Sequence, residues 1–429
     1  MKISRIVFPL FLLVSFISVR AGDLKPFPAG LDGSIMPYDF SATDSLPDIP
    51  EGYVPVHVSY VARHGARYLS SPKKIEKIEG ELRMAEKEER LSPDGEAFLA
   101  LLKNIADSTG DRWGLLSPVG LREEQRLGRE MAEMFPDLLR KGKAVAVSTF
   151  VPRVIMTMYE FNHALERRHT NLELYASSGH QYDSLLYFFD VFSGYRDFRD
   201  SGAWEMIYDD FVERHVSAEP ARRLFNDYEG KDKKLRKLTM EMYGALQGNR
   251  AAGFASAAER FFTQEEYREC YRASNLKHYL RNTPNHLDPY CAAATAMLIN
   301  RIISDADAAL YPDPRNKNIV TTRFSGYFGH AETLLPLLSV MNIPGCYYPS
   351  TDYDNLDAKW KLEDITPLGA NLTLIFLRDS GGEVWVSVRH NGRNVPAYPG
   401  APEIIQWSDL KAYWKERIGS SARPKARLL

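Results

Sequence analysis

The chain is poor in cysteine: Cys270, Cys291 and Cys346 are the only three in 429 residues. Three thiols cannot all pair with one another, so disulfides are not what holds this fold together. Cys270 and Cys291 are the pair an oxidising compartment would join; buried free thiols are the other reading. No CxxC or HExxH pattern occurs, which removes the sequence case for a structural or catalytic zinc. An excess of one charge is missing too. Lys and Arg total 54 against 56 Asp and Glu, a net charge of −2. That balance argues against a nucleic-acid coat protein or a polybasic membrane binder, while leaving room for a local basic pocket. No sustained short repeat marks a coiled coil, a collagen or a fibre. An apolar content of 44% is too high for disorder. At roughly 150 residues per domain the length makes two to three domains' worth of chain.

Long apolar runs are scarce as well. The run from Ile6 to Ile17 follows Lys2 and Arg5 and precedes Val19-Arg20-Ala21. It is shorter than the about 20 residues a bilayer span needs. Its charged start, apolar middle and small-residue end read as an export signal over residues 1–21; a short membrane anchor is the competing reading. No comparable run follows, so the processed chain is expected to be exported, without a transmembrane segment.

Residues 22–50 are rich in Pro, Gly, Ser and Asp and read as an irregular lead-in. Tyr53–Val61 alternates and is β-branched, a strand pattern. Apolar positions at helical spacing predict helices over 73–107. Ser117-Pro118 is an N-cap with a first-turn proline, opening a helix to about Pro136. Lys143–Phe150 reads as a second strand, and Pro152 opens a helix carrying Arg153, Met156 and Phe161. From about 170 to 310 the chain is nearly strand-free, with a basic run at Lys231, Lys233, Lys234, Arg236 and Lys237. Such a run either draws a polyanion to this region or forms a solvated helix face. The β signal returns at Asn318–Phe324, followed by Gly326, Gly329 and a helix over Ala331–Val340. Strands follow at Leu372–Leu377 and Val384–Val388, with a hairpin turn at Asn391-Gly392. The fold class is therefore α/β: a three-layer sandwich around a mostly parallel sheet, with an inserted all-helical cap. The core takes 22–170 and 311–418, the cap 171–310, and 419–429 is a loose polar tail.

Ligands in such sheets bind beyond the carboxyl ends of the strands, and three polar clusters fall there. The first is Arg63-His64-Gly65-Ala66-Arg67. Guanidinium forks match phosphate oxygens, and a histidine between two arginines has its charged form disfavoured, leaving a neutral nitrogen able to attack phosphorus. The bland alternative is a surface turn with two solvated arginines. The second is Gly329-His330-Ala331-Glu332-Thr333 at a strand-to-helix junction, where N–H groups favour an anion. Glu332 is a candidate proton donor, or merely an acid complementing the helix dipole. The third is Ser148–Arg153, whose Arg153 adds a third guanidinium or is solvated.

These residues resemble the RHGxR signature of the histidine phosphatase superfamily, in its acid phosphatase and phytase branch. Most of that branch carries His-Asp at the second motif. The sequence His330-Ala331-Glu332, followed by Leu334-Leu335-Pro336-Leu337-Leu338, is similar instead to multiple inositol polyphosphate phosphatases. Gly369-Ala370-Asn371-Leu372 resembles the family's late strand. The resemblance covers most of the chain after residue 21, and the cap only loosely. It implies that His64 is the nucleophile, forming a phosphohistidine, that Arg63, Arg67, Arg153 and His330 bind the phosphoryl group, and that Glu332 protonates the leaving alkoxide. Arginines then carry the charge that a metal would otherwise stabilise, so neither metal nor cofactor is implied. The family's richer cysteine set is absent, so its disulfides do not transfer. No endoplasmic-reticulum retention tail is present, which favours a bacterial periplasmic or surface setting.

The leading reading is an exported phosphomonoesterase acting on inositol polyphosphates such as phytate, its partner a small anionic phosphate ester rather than nucleic acid. A broad acid phosphatase or a 2,3-bisphosphoglycerate phosphatase is the second reading, and a phosphate-ester-binding protein with a decayed site the third. Phosphoglycerate mutases share the RHG start but lack an export signal and a large helical insert. Positional specificity and oligomeric state are not legible.

Overall fold

The structure, a computed structural model, describes residues 26–45, 49–255, 257–313, 315 and 320–421. The export signal read at 1–21 and the tail from 422 lie outside the described residues. One sheet runs through the molecule. Its strands are β1 (Val54–Arg63), β2 (Gly142–Ser148), β3 (Leu172–Ser178), β4 (Thr322–Gly329), β5 (Asn371–Arg378), β6 (Val384–His390), β7 (Arg393–Val395) and β8 (Ile404–Gln406). Their order is β3-β2-β4-β1-β5-β6-β7, with β8 also on β6. The four strands β3, β2, β4 and β1 are parallel. β5 pairs antiparallel with β1, and hairpins extend the sheet beyond it. Asn391 and Gly392, both at positive φ, make the predicted turn between β6 and β7.

The period-2 alternation of the strands divides their side chains between two cores. Val58, Tyr60 and Ala62 of β1 pack with Phe324 and Phe328 of β4 on one face. Val61 packs with Tyr327, Leu372 and Leu374 on the other. Helices α1 (Lys73–Lys87) and α2 (Pro93–Thr109) follow β1, and α3 (Pro118–Met134) and α4 (Pro152–Arg168) flank β2. α3 and α4 bring Leu127, Met131, Met158 and Phe161 to the first face. Ser92 and Ser117 accept hydrogen bonds from the N–H groups of Gly95 and Gly120, the Ser-Pro caps that start α2 and α3.

The insert supplies α5 (Ser193–Ser201), α6 (Trp204–His215), α7 (Asp232–Ala251) and α8 (Gln264–Asn282). After it come α9 (Cys291–Leu310), α10 (Ala331–Met341) and α11 (Trp407–Ser421), which cover the second face.

Several boundaries differ from those read in the sequence. Leu172–Ser178 is not cap but the edge strand β3, pairing with β2 from Gly142↔Leu172 to Ser148↔Ser178. Leu172 alone is buried among its seven residues, so the strand lacks the apolar pattern that would announce it. α9, within the stretch read as cap, packs on β1, β4, α10 and α11. The helices read over 73–107 are α1 and α2, separated where Glu89 takes positive φ, with α2 running on to Thr109. β4 holds Gly326 and Gly329 within it, while Asn318 and Ile319 lie outside the described residues. α11 extends to Ser421, so the tail begins later than Gly419. Cys270, Cys291 and Cys346 are all free and buried, which decides against a Cys270–Cys291 bridge.

Candidate active site

The carboxyl ends of β2, β4 and β1 lie side by side, because Arg63 is level with Gly329 and Ser148 with Phe328. Each strand therefore delivers its next residues to one place: His64 from β1, Thr149 from β2 and His330 from β4. The backbone fixes that meeting. His64 N–H donates to Gly329 O at 3.1 Å, Arg63 N–H to Ala370 O at 2.8 Å, and Gly369 N–H to His64 O at 3.0 Å. The Gly369–Leu372 stretch is thus part of the site's frame.

Gly65 is required for a reason other than turn geometry, since it is not at positive φ. A Cβ there would lie 2.9 Å from Glu124 Oε1 and 3.0 Å from Gly120 O, so α3 presses directly against the loop. Glu123 of α3 accepts from Ala66 N–H at 2.8 Å and from Tyr38 N–H at 3.0 Å, clamping the loop to the lead-in segment.

His64 is 3% exposed and its ring lies 5.7 Å from that of His330. His64 Nδ1 is 2.9 Å from Gly65 O. A carbonyl can only accept, so Nδ1 carries the proton and Nε2 keeps a free lone pair. Burial, and then the charges of Arg153, Arg63 and Arg67, hold the imidazole pKa well below its ordinary value. The ring is a neutral nucleophile with its reactive nitrogen selected.

Arg63 is anchored by Nη1 donating to Ser34 O and, at 2.6 Å, to Thr366 O. Arg67 donates to Tyr68 O at 2.9 Å. Arg153 Nη2 is 3.3 Å from His330 Nδ1, and His330 Nε2 is 3.2 Å from Thr149 Oγ1. A guanidinium only donates, so His330 Nδ1 accepts from Arg153 and its Nε2–H points at the threonine. In this arrangement His330 orients Arg153 rather than presenting an N–H to the cleft. All three arginines retain a buried Nε–H with no acceptor. Burial lowers the pKa of Arg63 to about 9 and of Arg67 to about 10, with neighbouring guanidiniums adding to the effect. Cations this crowded favour an anion among them.

Glu332 begins the first turn of α10, and a third of its side chain (34%) remains open to solvent. Burial raises its pKa, but Arg199, His330, its own backbone N–H and His278 outweigh that and hold it far below the usual carboxylate range. Arg199 Nη2 stands 3.7 Å from Glu332 Oε1, itself fixed by Asn282 Oδ1 at 3.0 Å and Phe189 O at 3.2 Å. Burial and the charge of Arg199 lower Arg281, which lies in the same field.

All six residues singled out in the sequence thus meet at one end of the sheet. Thr149, Glu123, Arg199, His278 and Arg281 were not singled out. Thr149 lay within the chosen Ser148–Arg153 segment, though no role was given to it. The cap residues carry no local signal, because only tertiary packing brings α5 and α8 over the strand ends.

A family model, Histidine phosphatase superfamily (branch 2), matches residues 56–391. The chain belongs to that family. As a branch 2 histidine phosphatase it is a phosphoric monoester hydrolase. Its fold is similar to that of the Bifidobacterium longum multiple inositol polyphosphate phosphatase solved with inositol hexasulfate, at a TM-score of 0.72 and 15% identity, covering 89% of this chain and 96% of that one. The phosphate complex of the same enzyme gives 0.70 and 14%, covering 93% and 100%. The phytase from D. castellii gives 0.63 and 17%, covering 91% and 85%. No curated protein matches the sequence significantly. Among the described residues no helix is long and apolar enough to cross a membrane.

Proposed function

We propose that this histidine phosphatase is an exported phosphomonoesterase that hydrolyses inositol polyphosphates through a phosphohistidine. One observation carries the reading: a neutral His64, its proton fixed on Nδ1, faces three guanidiniums whose buried Nε–H groups lack acceptors. A phosphoryl group accepts from Arg63, Arg67 and Arg153 while Nε2 attacks phosphorus in line with the ester oxygen. The P–O bond breaks as the N–P bond forms. The leaving alkoxide takes a proton from Glu332, and His330 holds Arg153 against the transferring group. Water then attacks the phosphohistidine, passing its proton to the Glu332 carboxylate, and inorganic phosphate leaves.

Glu332 is ionised before substrate arrives. The negative phosphates cancel the cations that depress its pKa, so it takes up a proton as the ester binds. Inositol phosphates are favoured over simple monoesters by the excess of cap cations around the strand ends. Similarity to the Bifidobacterium longum and D. castellii enzymes supports the same substrate class, and the apolar segment at Ile6–Ile17 supports export.

The test is direct. The purified protein should release phosphate from phytate, and an acid-labile label should be trapped on it when labelled substrate is quenched. His64→Ala should keep the fold and lose turnover at least a thousand-fold. Near-normal hydrolysis by His64→Ala would overturn the covalent route.

A further inference from the structure

A cavity beside the segment that anchors Arg63 carries two donors that hydrolysis does not use. It encloses about 390 Å³ between the lead-in, the loop after α10, the segment before β5 and the end of β6. Three acids, Asp39, Glu363 and Asp364, face three bases, Lys359, Lys361 and Arg393. That balance favours neither an anion nor a hard cation. The distinguishing chemistry is soft. Cys346 and His390 share its wall, with Sγ 3.9 Å from Nδ1.

Both donors are held in place. Cys346 N–H donates to Ile343 O at 2.9 Å, and its carbonyl accepts from Ser339 Oγ at 2.8 Å and Trp360 Nε1 at 3.1 Å. His390 ends β6, and its Nε2 lies 2.9 Å from Ile365 O. A carbonyl only accepts, so Nε2 carries the proton and Nδ1 turns its lone pair to the thiol. Imidazoles that ligate metals are oriented in the same way, with the remaining N–H on a carbonyl or carboxylate. The thiol is a weak donor, and at 3.9 Å from both His390 Nδ1 and Pro344 O it commits to neither.

Metal bonds of about 2.3 Å to sulfur and about 2.0–2.1 Å to nitrogen close the 3.9 Å gap at an S–metal–N angle of about 125–130°. Among the described residues no group of three or more His, Cys, Asp or Glu gathers around a metal position. One sulfur and one imidazole, without carboxylates, suit a low-coordinate soft ion rather than calcium, magnesium or a four-coordinate zinc.

Hydrogen bonds tie this pair to the catalytic loop. His390 holds Ile365 O, and Asn391 Nδ2 donates to the same oxygen at 3.2 Å. The carbonyl of the next residue, Thr366, accepts from Arg63 Nη1 at 2.6 Å. Two-coordinate soft ions favour a straight S–metal–N line, for which the same bonds need about 4.3–4.4 Å between the donors. Cys346 is pinned at three points, so the imidazole yields. Ile365 moves with it, and so does the carbonyl that aims Arg63.

We propose that Cys346 and His390 form a site for one soft, closed-shell monovalent cation, Cu(I) or Ag(I), and that its occupation slows hydrolysis by shifting the anchor of Arg63. The ion displaces the thiol proton to water. One metal–sulfur and one metal–nitrogen bond form, Nε2–H stays on Ile365 O, and no electron is transferred.

Silver nitrate in chloride-free buffer is the probe. Native mass spectrometry and titration calorimetry should show one tightly held Ag(I) per chain of the wild type. Cys346→Ser keeps the size and removes the soft donor, so it should bind about a hundred-fold more weakly. His390→Gln should bind about ten-fold more weakly. Turnover of an aryl monophosphate by wild type should fall about ten-fold at one equivalent of Ag(I). It should recover on adding dithiothreitol, and Cys346→Ser should show no such fall. Equal affinity in wild type and Cys346→Ser would overturn the site, since the ion would then sit elsewhere. Undiminished affinity in His390→Gln would leave a lone thiol and overturn the pair. Tight binding with unchanged turnover would overturn the link to Arg63. If Cys346→Ser melts early without silver, Cys346→Ala takes its place under the same criteria. The binding measurements need no turnover, so their outcome is independent of which ester the enzyme hydrolyses.

Discussion

At the scale of single residues, Glu332 sits under two opposed demands. It has to be protonated to serve as an acid, yet Arg199, His330 and His278 favour its carboxylate. The pull of Arg199 is useful only if substrate removes it, and each phosphate that enters the cleft does so. Glu332→Gln keeps the size of the side chain and loses the transferable proton. General acids contribute about a hundred- to ten-thousand-fold, so the variant should lose that much on inositol phosphates. An aryl ester, whose phenolate leaves unaided, should lose far less, and KM should not rise. Steady-state kinetics on the two ester classes check this; equal losses would assign Glu332 to another step. The legible and illegible parts of the site divide at the same scale. Arg63, His64, Arg67, His330 and Glu332 were readable because they fall in two short motifs, each directly after a strand or at the start of a helix. Arg199 was not, since its 9-residue helix carries no motif and meets Glu332 only through the packing of Phe189 and Tyr195.

Elements show a related division. β1, β2, β5 and β6 announced themselves by alternating or continuous apolar residues, and α3 by its Ser-Pro cap. β3 was lost because an edge strand with one buried residue has no such pattern. The contact between α3 and the catalytic loop could not be read either, although both sequences were in view. It places Glu124, fully buried, with both carboxyl oxygens lacking partners, directly behind Gly65. Burial, with the charge of Glu123 second, raises the pKa of Glu124 well above that of an ordinary carboxylic acid. The unfolded chain binds fewer protons at this residue than the folded one over that interval. Stability from this group is therefore present below about pH 4.5 and declines as pH rises. Glu124→Gln removes the titration. Its melting temperature relative to wild type should increase steadily from pH 4.5 to pH 7.5, measured by thermal denaturation in matched buffers. A pH-independent difference would mean that Glu124 is ionised in the folded protein.

For the molecule as a whole, the cap is an insertion in sequence but not a separate body in packing. Leu238, Tyr267 and Leu276 of the cap share one apolar cluster with Trp360, Leu362 and Leu374 of the sandwich side. Asn275 of α8, 1% exposed, crosses that boundary with two hydrogen bonds, donating to Trp360 O and accepting from Leu362 N–H, each at 3.0 Å. The lead-in straps the same parts together. Tyr243 donates to Leu31 O at 2.7 Å and Tyr267 to Asp32 Oδ1 at 2.8 Å, while Ser34 O anchors Arg63. Loosening the cap therefore disturbs the catalytic arginine and exposes the shared core. Domains that share a core unfold together, whereas a cap resting on a polar interface melts first. Calorimetry should accordingly show one transition, with activity lost across it. Asn275→Ala leaves a buried carbonyl and N–H unpaired, a loss of about 1–3 kcal/mol for each group. It should move the single transition down without splitting it. A separate low-temperature transition in either protein would show that the cap melts on its own and that the strap does not couple it to the site.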